Sequence, residues 1–139
     1  MTVENYLAEA GALATLAGIL AGFAISAVIQ LLSSALESKV ATATIVTYAA
    51  STVMFLYSLI VFILVFATTA EQNKVVTSLD TQGSIAVLVM YGAVFVFLAA
   101  IGMTGWIRSR ITGILTSSFA AITMCLIGIA IISVTSVFA

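Results

Sequence analysis

Gly11, Thr15, Gly18, Gly22, Ser26, Gln30 and Ser33 recur every three or four residues along the first apolar segment of this chain. That spacing gathers them on one face of a helix whose remainder is Ala, Leu, Ile, Val and Phe. The chemistry open to such a stripe is narrow. Hydroxyls and one amide offer neutral oxygens to an ion or to water, and glycines let a second backbone approach closely. Lipid cannot satisfy the Gln30 amide, so the stripe has to meet protein or water. One reading is a packing seam, in which Gly18 and Gly22 form a GxxxG pair widened by Ala10, Ala14, Ala17, Ala21 and Ala24. The other is the wall of an aqueous path. Polarity rises toward one membrane face through Gln30, Ser33, Ser34 and Glu37, a gradient that packing gives no reason for and a water-lined route explains.

No other constellation of reactive residues is present. The chain has no His, no Pro and one Cys, and no acidic residue falls within an apolar run. An enzyme would need an activated nucleophile or a general base, and Ser, Thr and Cys have no such partner here. Catalytic residues, cofactors and metal ligands are therefore not expected. Cys125 lies in an apolar run and reads as a buried structural thiol. Four basic residues in a chain of net charge −1 leave no footprint for nucleic acid. The first ten residues carry Glu4 and Glu9 without a basic residue, so no cleaved signal peptide is expected.

The elements that position the stripe follow from composition. The 139 residues are 63% hydrophobic and 6% charged, with a mean hydropathy of +1.33. Soluble domains carry about 25% charged residues, which excludes an ordinary water-soluble fold. Apolar stretches run over about 11–36, 43–70, 83–105 and 111–139. Each exceeds the roughly 20 residues that cross a hydrocarbon core. The charged residues, Glu4, Glu9, Glu37, Lys39, Glu71, Lys74, Asp80, Arg108 and Arg110, all fall outside them. The expectation is an all-α membrane protein, one domain of four transmembrane helices over 1–139, integral to the cell membrane.

Short connections make successive helices antiparallel neighbours and leave 71–82 as the longest hydrophilic loop. Both termini and that loop then share one side with Lys74, while Lys39, Arg108 and Arg110 share the other. The positive-inside rule puts the termini outside. Trp106 beside Arg108 and Arg110 reads as an interfacial anchor. The second helix carries Tyr48, Phe55, Tyr57, Phe62 and Phe66, which suits an outer layer meeting lipid around smaller first helices.

The run Leu20-Ala-Gly22-Phe23-Ala24-Ile-Ser26-Ala27-Val-Ile-Gln30 resembles the pore helix of the Orai calcium-channel subunits, Leu-x-Gly-Phe-Ala-x-Val-Ala-x-x-Glu. Orai proteins also read Phe-Leu-Ala-Glu, five residues, then Trp-Val-Lys. Here Phe97-Leu98-Ala99-Ala100 precedes Trp106-Ile107-Arg108 at the same spacing, and Ala50-Ser51-Thr52-Val53 is a smaller likeness in the second helix.

The resemblance implies a homo-oligomeric ring, a hexamer, with first helices lining a central pore. Thr15, Ile19, Gly22, Phe23, Ser26 and Gln30 would face it, Ile19 and Phe23 as a hydrophobic gate and Gln30 as the filter, with Glu37 as the charge at the mouth. It also implies termini inside, opposite to the charge count. The sequence departs from the family where its pore-mouth glutamate becomes Gln30 and its third-helix glutamate becomes Ala100. The basic stretch before the pore, the fourth-helix proline and the cytosolic helix that receives the calcium-store sensor have no counterpart. The resulting expectation is a minimal Orai-like cation channel, monovalent and weakly calcium-selective, without sensor binding. The rival is a non-conducting assembly protein whose first-helix stripe packs on a partner. A small multidrug-type transporter would need a charged residue in mid-membrane, and none is present.

Overall fold

A computed structural model describes residues 2–34, 37–74 and 77–138. Among them the chain forms four α-helices: α1 (Val3–Ser33), α2 (Lys39–Gln72), α3 (Thr77–Arg108) and α4 (Arg110–Phe138). All four are long and apolar enough to cross a membrane. They outrun the apolar stretches at several ends, because local caps rather than hydrophobicity start them. Thr2 Oγ1 accepts from the Asn5 amide at 3.3 Å and Ser38 Oγ from the Ala41 amide at 3.0 Å.

The expected loop at 71–82 is a correction. Glu71 and Gln72 complete α2, residues 77–82 already belong to α3, and Asn73 ends α2 with a left-handed φ of 48°. The expected limits Leu36 and Ala139 lie outside the described residues. At about 1.5 Å per residue, the helices are longer than a core of about 30 Å requires, and their polar turns reach headgroup depth.

Extended packing runs from each helix to the next in the chain, α1 on α2, α2 on α3 and α3 on α4. The seam of α2 repeats at alternating steps of three and four, and those of α1 and α3 at steps of three, four and seven. α1 buries Ala10, Ala17, Ala21 and Ala24, and α3 buries Ala86, Met90, Ala93 and Ala100. Between them α2 buries Ala41, Thr44, Tyr48, Ser51, Phe55, Ser58, Phe62, Val65 and Thr69. Alanine and serine let backbones approach, and the aromatic rings fill the space between three helices.

Phe55 and Phe62 sit among Ala17, Ala21, Ala86, Met90 and Ala93. Phe97 meets Tyr48 and Phe55 edge-on, with ring centroids 5.7 and 6.2 Å apart. The aromatic second helix is thus no outer layer. Tyr48, Phe55 and Phe62 are core, and only Tyr57 and Phe66 of that set are exposed. Polar bonds also tie α2 to α3: Ser58 Oγ donates to the Ala86 carbonyl at 3.0 Å, the Tyr48 and Thr104 hydroxyls share a bond of 3.2 Å, and Thr47 Oγ1 donates to Met103 Sδ at 3.9 Å.

Ser109 alone separates α3 from α4 and caps α4, its Oγ accepting from the Thr112 amide at 3.1 Å. The hairpin closes on the Gly102 carbonyl, which accepts from Thr116 Oγ1 at 3.0 Å and Ser117 Oγ at 3.2 Å. Trp106 Nε1 in turn donates to Ser117 Oγ at 2.9 Å. The ring of Trp106 covers Gly113, where a methyl group would lie 2.5 Å from it, and a methyl at Gly105 would overlap Thr116 and the Thr112 carbonyl. The anchor residue is therefore also an interhelix bond. Past Ala120 the outward residues of α4, from Ile122 to Val134, are exposed. Cys125 is exposed too, which corrects the expected buried thiol. Among the described residues the extended packing of α4 is on α3 alone.

Trp106 is the single tryptophan, so its emission reports this hairpin alone. Gly113→Val should displace the ring, shift the emission and lower stability by about 1–3 kcal/mol, as overpacking does. Ser117→Ala should move the spectrum less. Denaturant titration in bicelles followed by fluorescence checks both.

Candidate functional site

Helical geometry turns each α1 residue about 100° from the last. The alanine seam that fastens α1 to the bundle therefore dictates what lies opposite. Ala12, Thr15, Leu16, Ile19, Gly22, Phe23, Ser26, Gln30 and Ser33 fall there, and most are well exposed. The structure places the six expected pore-facing residues, Thr15, Ile19, Gly22, Phe23, Ser26 and Gln30, on one outward face. It divides the wider stripe. Gly11 lies against Phe66 and Gly18 against Leu59, at 3.7 and 3.8 Å from an added Cβ, whereas Gly22 has nothing within 4 Å. The alanines expected to widen the stripe form the opposite seam instead. Only half of the GxxxG pair is thus free for another chain.

The hydroxyls on this face are committed in one direction. Thr15 Oγ1 donates to the Gly11 carbonyl at 2.9 Å, Ser26 Oγ to Gly22 at 2.8 Å and Ser33 Oγ to Ile29 at 2.8 Å. Each keeps its lone pairs for the outside and has no proton left to give. The exposed face therefore presents electron-rich oxygens from its hydroxyls. The Gln30 side-chain amide bonds to no described residue, so two donors and an acceptor oxygen are left open near the end of α1. Glu37 is exposed in the connection to α2, placing a carboxylate beyond Gln30.

Two bulky apolar side chains interrupt the polar run. Ile19 is 53% and Phe23 61% exposed, one turn apart between Thr15 and Ser26. Leu16 and Ile29 border the same face, two neighbours that the residue pattern alone did not single out. They could have been found by asking which residues sit opposite the alanines. Ala100, where the resembling family has a glutamate, is fully buried with Ala24 and Tyr48. A carboxylate there would need a partner that this packing does not offer. Among the described residues no group of acidic, His or Cys side chains is placed to hold a metal ion.

No protein-family model, curated protein or solved structure matches the chain.

The orientation of α1 can be read by cysteine scanning once Cys125 is replaced by Ser. Cysteines at Ser26 and Thr15 should react with a maleimide in the folded protein, and cysteines at Ala17 and Ala24 should react at least tenfold more slowly. Equal rates at all four positions would mean that α1 is not fixed by its alanine seam.

Proposed function

We propose that the chain is a subunit of a homo-oligomeric cation channel, six copies arranged with the outward faces of α1 around a shared axis. The observation that carries this reading is the face itself, which pairs acceptor-only hydroxyls with an unpartnered amide and lies opposite the seam holding α1 in the subunit. Copies meeting around an axis give such a face water and partners, which a lipid environment lacks. The motif likeness to Orai subunits supports the same arrangement. The sign of the ion follows from the oxygens: with their protons turned inward and no basic residue on the face, lone pairs face the path and favour a cation.

Ile19 and Phe23 form the constriction in this reading. An apolar ring closes a narrow pore by dewetting, with no plug required. Gly22, between them and open on its outer side, leaves room for a small shift of the ring. The rival, a packing seam for a partner helix, is less well served, because Gly18 is already engaged with Leu59.

Replacing the apolar ring with a polar one should keep the pore wet. Phe23→Ser is expected to raise sodium flux into proteoliposomes at least tenfold over the native protein. Unchanged flux with intact assembly, read as the mass of the purified complex, would turn Phe23 away from the axis. A monomer in that same measurement would exclude the ring.

Selectivity rests on Gln30. A ring of carboxylates holds a divalent cation at hard oxygens, with roughly 4 kcal/mol of attraction per close pair at a dielectric near 20 before desolvation. The amide has the size of a glutamate and none of that charge. The native channel should therefore pass sodium with little calcium block, and Gln30→Glu should lower the calcium concentration that halves sodium flux by tenfold or more. Micromolar block of the native protein, or no change in the variant, would remove Gln30 from the filter.

A further inference from the structure

At the end of the bundle that holds the first turns of α1, a crevice of about 210 Å³ opens between α1 and α3 over α2. It is on the seam side of α1, away from the outward stripe, so its ligand chemistry is independent of the channel reading. Its walls are chemically divided. Its deep part is apolar, with Phe62 and Val65 buried and Leu13 and Val87 half-buried, while Glu9 and Ser84 are exposed at the mouth, where Tyr6 is half-buried. Gly83 contributes to the space by having no side chain: an added Cβ there would meet only the Tyr6 hydroxyl, at 3.8 Å. An apolar cavity of about 150 Å³ already accepts benzene. This one is large enough for a ring with one or two further heavy atoms.

The mouth specifies what those further atoms are. A carboxylate beside a tyrosine ring is the pairing that recognises an ammonium group, by Coulomb attraction and by the negative face of the ring. The wider charge agrees. Among the described side chains this end carries Glu4, Glu9 and Glu71 with Lys74 as its one basic residue, since Lys39, Arg108 and Arg110 lie at the other end. We propose that the crevice binds small aryl- or alkylammonium ions, the apolar group between Phe62 and Val87 and the ammonium between Glu9 and Tyr6. Because the helices extend beyond the hydrocarbon core, this mouth sits at headgroup depth, reachable from water.

The test is calorimetric titration of the full-length protein in nanodiscs with benzylammonium and, as its neutral counterpart, benzyl alcohol. Saturable binding of benzylammonium is expected, at least tenfold tighter than benzyl alcohol. Glu9→Gln should remove that preference while leaving the alcohol unchanged. Val87→Phe, which fills the deep part, should abolish both, with Trp106 emission and the mass of the complex unaltered. If Val87→Phe disturbs either readout, Gly83→Leu fills the same space from the other wall and carries the test. The proposal is overturned by any of three results: no saturable binding, an ammonium preference that survives Glu9→Gln, or binding that survives a correctly folded filled variant. Sodium flux of Glu9→Gln should match the native protein, which separates this site from the conduction path.

Discussion

Lipid tails are as apolar as leucine, so helices in a bilayer have no hydrophobic reason to leave lipid for one another. What holds this chain together has to be close contact and the hydrogen bonds that close contact permits. The alanine row of α1 and the Ser/Thr positions of α2 meet that constraint. Small side chains at heptad spacing let three backbones approach, and the approach brings Ser58 within reach of the Ala86 carbonyl. Phe55 and Phe62 then fill the space that the small residues leave. Substituting bulk into the α1 row would push α1 off α2 and dismantle the core that both aromatics complete.

The same seam fixes the polarity of the outer surface. Once Ala10, Ala17, Ala21 and Ala24 face inward, Thr15, Ser26 and Gln30 have no choice but to face out. The back-bonded hydroxyls could tolerate lipid, since their protons are already satisfied. Gln30 is different, because an amide with two donors and an acceptor cannot be satisfied by its own helix. The case for a protein or water neighbour therefore leans on that residue and on the carboxylate of Glu37 beyond it, more than on the hydroxyls that first draw the eye.

The four helices were legible from the apolar runs, because a span has to be continuous to cross a core of fixed thickness. Their ends were not. Thr2, Ser38 and Ser109 set them through local caps that hydropathy does not register. The outward face of α1 was legible as a period, but its division was not: Gly11 and Gly18 share the period with Gly22, and only the positions of Phe66 and Leu59 separate them. Aromatic content misplaced α2 at the periphery. Composition counts rings, whereas burial follows their spacing, and Tyr48, Phe55 and Phe62 at steps of seven, in register with Ser51 and Ser58, were the sign that they point one way.

Packing from each helix to its successor also divides labour along the chain. α2 and α3 are gripped on two sides, α1 and α4 on one. For α1 the free side is polar and small. For α4 it is a row of Ile, Leu, Phe and Val, including Phe119, Ile122 and Leu126, that lipid can cover without cost. In the proposed ring this difference orders the helices radially: the polar free face turns to the axis and the apolar one to the bilayer, with α2 and α3 between. Exchanging the two would turn the Thr15, Ser26 and Gln30 face toward the bilayer and leave the axis lined by leucine and isoleucine. The hairpin at Ser109, tied by Trp106, Thr116 and Ser117 to the Gly102 region, is what keeps α4 attached while it offers most of its surface outward.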